Sequence, residues 1–173
     1  MVSKKKLNIS SSELNTIKPI TDNQKEVFAS YEKGQNLFLY GVAGTGKTFV
    51  ALYNALKDVL DPKSPRERVY IVRSLLPTRD IGFLPGDEED KSYLYQVPYQ
   101  NMVRFMFQRG SDAEFDRLYT DLRNQGTVDF LSTSFLRGIT IDNGVIIVDE
   151  CQNLNFHELD TIMTRIGQNT RIV

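Results

Sequence analysis

The chain has 173 residues, of which 40% are hydrophobic and 25% are charged, a composition typical of one ordinary soluble domain. Its formal net charge of −1 provides no overall basic field, so any contact with a nucleic acid would depend on a local patch. The single cysteine excludes an intramolecular disulfide framework, and no apolar run reaches the roughly 18 residues that a membrane helix needs. These features predict a cytoplasmic protein without membrane contact.

The first part of the chain predicts a polar leader, residues 1–20, followed by a domain that occupies residues 21–173. Thr21 and Gln24 have the S/T-x-x-E/Q spacing of a capping box and predict a helix to about residue 32. An apolar strand at 36–40, a glycine-rich turn, a helix at 46–59 and a strand at 69–73 are predicted to follow.

The second part of the chain begins with residues 75–127, which predict an insertion of loop and helices. Its first segment, 75–90, is rich in Pro, Gly and Asp and predicts a long loop. The expected elements after this loop are helices at 98–108 and 112–124, strands at 128–131 and 145–149, a helix at 155–167 and the start of a strand at 171–173. Strands that alternate with helices predict an α/β domain around a mainly parallel sheet.

The last residues, Arg171-Ile172-Val173, are predicted to begin a strand just where the sequence stops. A domain rarely finishes at such a point. We therefore expect the C-terminal end of the domain to be missing from this sequence.

A glycine-rich motif between the predicted strand at 36–40 and the next helix matches G-x-x-x-x-G-K-[ST] in full. In this P-loop motif the glycines let backbone N–H groups face phosphate oxygens, the lysine reaches the β- and γ-phosphates, and the Ser/Thr hydroxyl ligates Mg²⁺. The motif consists of Gly41, Val42, Ala43, Gly44, Thr45, Gly46, Lys47 and Thr48. It predicts ATP and Mg²⁺ as ligands, with Phe49 as the next residue of the nucleotide-binding stretch.

Two adjacent acids, Asp149 and Glu150, follow the apolar run 145–148. In a P-loop NTPase a second strand brings a carboxylate to the Mg²⁺ that the P-loop Ser/Thr holds, and Asp149 fits that role. Glu150 is placed to orient or deprotonate the attacking water, which favours hydrolysis over binding alone. The alternatives are a solvated acid at position 150, or a small-molecule kinase with a hydroxyl substrate pocket that the sequence does not locate.

Several further motifs give the chain a resemblance to the PhoH-like family, P-loop ATPases related to the core of superfamily 1 helicases. The resemblance covers about residues 18–173 and depends on GVAGTGKTFVAL, GFLPGD (82–87), FLRGIT (135–140), VIIVDECQN and TRIG (164–167) in that order. It implies a RecA-like P-loop NTPase fold, a three-layer domain with a mainly parallel sheet. The resemblance suggests a short phage-encoded member, which would place the protein in a host cytoplasm; a bacterial member is the alternative.

The resemblance implies further roles for two glutamines. Gln24 matches a position that reads the adenine edge in related helicases, although it is also the N3 partner in the predicted capping box. Gln152 matches a position that senses the γ-phosphate and couples it to nucleic acid, although a polar residue leading into a helix would look the same.

Two arginines, Arg137 in FLRG and Arg165 in TRIG, are candidates for stabilising charge during ATP hydrolysis; surface or helix-face charges are the alternative. Arg165 is predicted to lie in the last turn of its helix, where a cation is favourable in any case. The resemblance also implies a homo-oligomer, with a hexameric ring as one form, in which either arginine would act on the neighbouring subunit.

The leading functional hypothesis is an ATPase coupled to single-stranded RNA or DNA, of the helicase or RNA-processing type. A basic groove with aromatic stacking would bind the strand; core or interface packing is the alternative for the tyrosines. The candidates are Arg73, Arg79, Tyr93, Tyr95, Tyr99 and Arg104. The alternative is a nucleotide-binding switch or assembly scaffold with little turnover.

Overall fold

The computed structural model describes residues 9–73, 88–133 and 135–173, with the side chains of the second range from Tyr95 onward. The motif GFLPGD at 82–87 and the candidates Arg79 and Tyr93 lie outside these described residues and side chains. Within the described part of the chain, no helix combines the length and the apolarity that crossing a bilayer requires.

Within the described residues, the sheet has four parallel strands in the order β2-β1-β3-β4. Their bounds are Arg68–Val72 for β1, Val128–Leu131 for β2, Gly144–Val148 for β3 and Arg171–Ile172 for β4. Parallel neighbours require a crossover connection, and the intervening helices supply it. The predicted α/β class with a parallel sheet is confirmed.

Five α-helices surround this sheet in the part of the chain that the structure describes. They are α1 at Asp22–Glu32, α2 at Lys47–Val59, α3 at Glu88–Phe107, α4 at Asp112–Asn124 and α5 at Phe156–Met163. The predicted capping box at the start of α1 is present, since the Thr21 hydroxyl accepts from the Gln24 N–H while the Gln24 side chain accepts from the Thr21 N–H.

Successive residues of the central strands face opposite sides of the sheet and enter two separate cores. In β3, Val145 and Ile147 join the larger core, which α2, α3 and α4 cover. Ile146 faces the smaller core with Leu136 and with Ile162 of α5. Helices therefore cover both faces, and the domain has three layers.

The segment predicted as a strand at 36–40 is not one in the structure. Its Leu37 N–H donates to the Ile172 carbonyl at 3.0 Å, so the segment runs beside β4 without a repeated ladder. Phe38 and Tyr40 are 80% and 93% exposed. The strand prediction was therefore wrong, because the segment makes a single backbone contact with β4 and leaves two of its aromatic side chains exposed.

Two predicted helix bounds were also wrong. Helix α3 begins at Glu88 and contains Pro98, which loses one helical hydrogen bond, because the residues after it bury one face in the larger core. Helix α5 ends at Met163 instead of Gly167. The chain beyond it bonds to a different segment, with the Ile141 N–H donating to the Arg165 carbonyl and the Gly167 N–H to the Ile141 carbonyl, both at 2.8 Å.

Residues 9–17, part of the predicted leader, pack on the domain. Ile9 is buried, the Asn15 N–H donates to the Met106 carbonyl at 2.8 Å, and the Ile17 N–H donates to the Tyr53 hydroxyl at 3.2 Å. These contacts join the segment to α2 and α3.

Candidate nucleotide-binding site

The P-loop, residues 41–48, leads from the segment at 36–40 into the first turn of α2. Gly44 and Gly46 have φ of +77° and +81°, a left-handed conformation that glycine adopts without a Cβ penalty. No atom lies within 4 Å of the position that a Cβ on Gly44 would take. At Gly44, backbone conformation and not crowding favours glycine.

Helix α2 fixes the far end of this loop. Its buried residues include Leu52, Ala55 and Leu56, which are fully buried, so the helix is firmly held in the larger core. The first N–H groups of a helix have no intrahelical partners and carry a partial positive charge. The end of α2 that begins at Lys47 can therefore receive an anion such as a phosphate.

Lys47 folds back over the loop, where its Nζ donates to the carbonyls of Gly41 and Val42 at 2.9 and 2.8 Å. The Thr45 hydroxyl also donates to the Val42 carbonyl, at 2.9 Å. These bonds hold the ammonium group at the mouth of the P-loop. A phosphate in the loop would meet this cation together with the backbone amides.

Asp149 lies directly after β3, at the carboxyl end of a central strand. Its Oδ1 accepts a hydrogen bond from the Thr48 hydroxyl at 2.9 Å, although 101 positions separate the two residues. A hydroxyl and a carboxylate are oxygen donors of the kind that Mg²⁺ prefers. This pair could hold the ion together with nucleotide oxygens and water, and the described residues contain no group of three His, Cys, Asp or Glu side chains for another metal.

The second oxygen of this carboxylate has a partner that the sequence did not predict. Asp149 Oδ2 accepts a hydrogen bond from the Tyr99 hydroxyl of α3 at 2.6 Å. Tyr99 is 2% exposed, and its ring meets Phe130 edge-on at 5.4 Å. The apolar spacing of Tyr99, Val103 and Phe107 could have placed this tyrosine on a buried helix face, but no spacing rule names its partner.

Glu150 follows in the left-handed region, with φ of +52° and ψ of +42°. This conformation is uncommon for a residue with a Cβ and costs of order 1 kcal/mol or more. Glu150 is exposed, and its carboxylate accepts a hydrogen bond from the side-chain amide of Gln152. The turn therefore separates the two acids, with Asp149 directed inward and Glu150 toward solvent.

Gln24 lies on the other side of the P-loop. Its Nε2 donates to the Thr45 carbonyl at 3.4 Å, and its Oε1 accepts from the Ile20 N–H at 2.8 Å. The amide thus serves the helix cap with one atom and contacts the P-loop with the other. Both interpretations of Gln24 that the sequence left open are compatible with this geometry.

Arg137 and Arg165 both line an open cleft of about 560 Å³ next to α5. Arg165 lies two residues beyond the end of α5, not in its last turn as predicted, and bonds to the Thr164 hydroxyl and the Ile139 carbonyl. Arg137 is exposed, and among the described residues no hydrogen bond or ion pair involves it. The structure thus brings the two arginines together on one surface.

The described side chains that were predicted to bind nucleic acid make contacts within the domain. Tyr99 is buried, and the Arg73 guanidinium lies 5.7 Å from the centre of the Tyr95 ring. Arg104 pairs with Asp112 and stacks over the ring of Phe115. In this conformation Tyr99 cannot stack on a base, which corrects that part of the sequence interpretation.

The parallel sheet, the glycine loop before α2 and the acid after β3 together define a P-loop NTPase domain. Comparison with known protein families narrows this class. The family described as PhoH-like protein matches residues 16–173, and the chain belongs to this family.

Individual relatives agree with this assignment. The chain is 34% identical over 136 residues to Protein PhoH2 of Bacillus subtilis (strain 168), a match that covers 78% of this chain and 30% of that protein. It is 30% identical over 151 residues to Protein PhoH of Escherichia coli (strain K12), covering 87% of this chain and 41% of that protein. A PhoH-like protein of Mycobacterium leprae (strain TN) is 30% identical over 159 residues, 91% of this chain and 43% of that protein. The chain thus spans less than half the length of these relatives.

Proposed function

We propose that this chain binds ATP with Mg²⁺ and hydrolyses it. The observation that carries the proposal is the 2.9 Å contact between the Thr48 hydroxyl and the Asp149 carboxylate, because it joins the P-loop to a strand-end acid at one point. Thr48 lies in the first turn of α2, next to the P-loop, and Asp149 lies directly after β3. Binding of a metal-nucleotide complex would explain why the Thr48 hydroxyl and the Asp149 carboxylate lie together.

In this proposal the P-loop amides and Lys47 hold the phosphates, and Thr48 with Asp149 holds the ion. Lys47 already lies within 3 Å of the Gly41 and Val42 carbonyls, so a phosphate would exchange neutral acceptors for a charged one. The bound Mg²⁺ would neutralise charge on the phosphates. Gln24, next to Thr45, would contact the adenine edge.

Glu150 would accept the proton of the attacking water or orient that water. Glu150 is exposed whereas Asp149 is partly buried, so the two acids can serve different purposes. A positioned general base contributes about 10²- to 10⁴-fold to a rate. Gln152, bonded to Glu150, would hold that carboxylate in place and respond to the γ-phosphate.

We also propose that ATP hydrolysis is coupled to single-stranded RNA or DNA, as in the helicase or RNA-processing type that the family resemblance implies. The surface next to the cleft supports it, because Phe135 and Phe156 are 76% and 79% exposed and adjoin lining residues in the chain: Phe135 lies two residues before Arg137, and Phe156 lies between Asn155 and His157. Exposed aromatic rings of this kind stack on bases. A cytoplasmic location, in a phage host or elsewhere, would supply both ATP and RNA.

The alternative is a switch or scaffold that binds ATP and assembles with little turnover. Two variants separate the possibilities: Lys47→Ala, which should not bind nucleotide, and Glu150→Gln, which should bind without hydrolysis. Phosphate release is measured for both and for the wild type, with and without single-stranded RNA or DNA. Wild-type turnover above both variants supports the ATPase, and stimulation by a strand supports coupling. ATP binding with turnover equal to that of Glu150→Gln would instead support the switch.

A further inference from the structure

The two carboxylate oxygens of Asp149 have different partners. Oδ1 accepts from Thr48 at the start of α2, at 2.9 Å, whereas Oδ2 accepts from Tyr99 in the middle of α3, at 2.6 Å. Only the first of these partners belongs to the P-loop. The carboxylate is therefore held from both sides, with one oxygen directed to the nucleotide site and the other directed away from it.

The Tyr99 hydroxyl is well suited to remain a donor to Asp149. Tyr99 is 2% exposed, so its hydroxyl lies inside the domain next to the Asp149 carboxylate. Its ring is fixed by Phe130, so the hydroxyl has little freedom to turn elsewhere.

Divalent ions differ in how they use a carboxylate. Ca²⁺ accepts six to eight oxygen ligands and often takes both oxygens of one carboxylate, while Mg²⁺ keeps a strict octahedral shell with one oxygen from each group and several waters. A carboxylate whose second oxygen already accepts a strong hydrogen bond offers one oxygen to an ion. Such a carboxylate suits Mg²⁺ better than Ca²⁺.

We propose that Tyr99 is a positioning residue that presents Asp149 to the metal through Oδ1 alone and thereby favours Mg²⁺ over Ca²⁺. This inference rests on the proposed metal-nucleotide site at Thr48 and Asp149. It assigns to α3 a role in metal selection, in addition to its packing in the larger core. Tyr99 acts through Asp149 and does not touch the ion.

The test compares metal-dependent nucleotide binding, not turnover. A fluorescent, non-hydrolysable ATP analogue is titrated with Mg²⁺ and separately with Ca²⁺, and the ratio of the two half-saturating concentrations is measured. Tyr99→Phe removes the hydroxyl but keeps the ring and its contact with Phe130, so the fold is retained. The matched control is Tyr53→Phe, which removes a buried tyrosine hydroxyl that accepts a hydrogen bond from the Ile17 N–H, on the leader side of α2.

We expect Tyr99→Phe to shift the ratio toward Ca²⁺ by about 10-fold, since loss of a group that orients a metal ligand changes metal affinity by about 10- to 100-fold. Tyr53→Phe should leave the ratio unchanged. A wild-type ratio in Tyr99→Phe, or equal weakening of both ions, would overturn the inference while leaving the proposed site intact. If neither ion affects wild-type binding, or if Thr48→Ala binds both ions as the wild type does, the proposed metal site itself is wrong.

Discussion

Gln24 connects the first turn of α1 to the P-loop, with its Nε2 donating to the Thr45 carbonyl at 3.4 Å. The same side chain closes the capping box of α1 through Oε1, which accepts from the Ile20 and Thr21 N–H groups. One amide thus links a helix start to the loop that would hold phosphates. Replacing Gln24 changes both contacts unless the new side chain keeps the oxygen acceptor and lacks the nitrogen donor.

Two substitutions separate them. Gln24→Glu keeps an oxygen acceptor for the capping box but removes the Nε2 donor, while Gln24→Ala removes both. We expect Gln24→Glu to weaken ATP binding more than GTP binding with little change in stability. Gln24→Ala should show the same selectivity and also lose about 1 kcal/mol of folding free energy with the hydrogen bonds that Oε1 accepts. Equilibrium binding of both nucleotides and thermal melts measure these effects.

An equal loss of ATP and GTP affinity in Gln24→Glu would leave only the capping role. Glu26→Gln is the matched control, because it changes an exposed side chain of the same helix outside the capping box. Its nucleotide affinities should equal those of the wild type.

Glu150→Gln should retain ATP and Mg²⁺ while turnover falls by about 10²- to 10⁴-fold, because an amide cannot accept the proton of the attacking water. The isosteric side chain keeps its place on the left-handed backbone, and Gln152 still finds a carbonyl oxygen as acceptor. Binding and phosphate release are measured on the same preparation. Loss of ATP binding in this variant would show that Glu150, and not Asp149 alone, holds the nucleotide complex.

The sequence predicted the parts of this domain that depend on local chemistry. The capping box at Thr21, the helix after the P-loop and the strand before Asp149 follow from short-range rules, and all three are present. The segment at 36–40 has the same apolar pattern as a strand, but among the described residues only Leu37 of this segment has a backbone partner, the Ile172 carbonyl. A local pattern does not show whether a neighbouring strand pairs with the segment.

The candidate site likewise contains one contact that the sequence implied and one that it did not. The contact between Thr48 and Asp149 could be anticipated because two motifs with defined roles implied it. The Tyr99 hydroxyl could not, since its partner lies 50 positions away and depends on how α3 packs across the sheet. Pro98, next to Tyr99, had also suggested a helix start in place of a helix interior.

Arg137→Ala should lower turnover more than Arg165→Ala, even though both arginines line the same cleft. The Arg165 guanidinium already bonds to Thr164 and to the Ile139 carbonyl, whereas Arg137 is exposed and has no such bond among the described residues. An arginine that contacts transferring phosphate from a neighbouring subunit contributes about 10³- to 10⁵-fold. Phosphate release by each variant, with Arg117→Ala as an exposed control, measures the difference.

Mixing experiments show whether Arg137 acts across a subunit boundary. Lys47→Ala subunits would lack nucleotide but keep Arg137, while Arg137→Ala subunits would bind nucleotide but lack the arginine. If Arg137 acts on its neighbour, a mixture should turn over faster than either variant alone. Activity that equals the average of the two variants would confine Arg137 to its own subunit or to the surface.

Asp58 should make the fold sensitive to acid. Its carboxylate accepts hydrogen bonds from the Arg66 guanidinium and the Ser64 hydroxyl, both at 2.6 Å, and Arg171 lies 3.5 Å away. Burial raises the pKa of Asp58, but the hydrogen bonds and the charge of Arg66 outweigh it, so the pKa is lowered overall. A lowered folded pKa stabilises the protein above the unfolded value of about 3.9, and this contribution is lost as the pH falls through the folded pKa.

Asp58→Asn should therefore cost about 3 kcal/mol at pH 7, because it leaves two poorly exposed arginines without their partner. The difference from the wild type should shrink as the pH is lowered from 5 toward 2, since the wild-type carboxylate then becomes protonated as well. Denaturant unfolding across this pH range measures both values. Asp121→Asn, an exposed carboxylate near the end of α4, is the control and should change stability by less than about 0.5 kcal/mol. A cost that stays constant down to pH 2 would assign the role of Asp58 to hydrogen bonding and not to its charge.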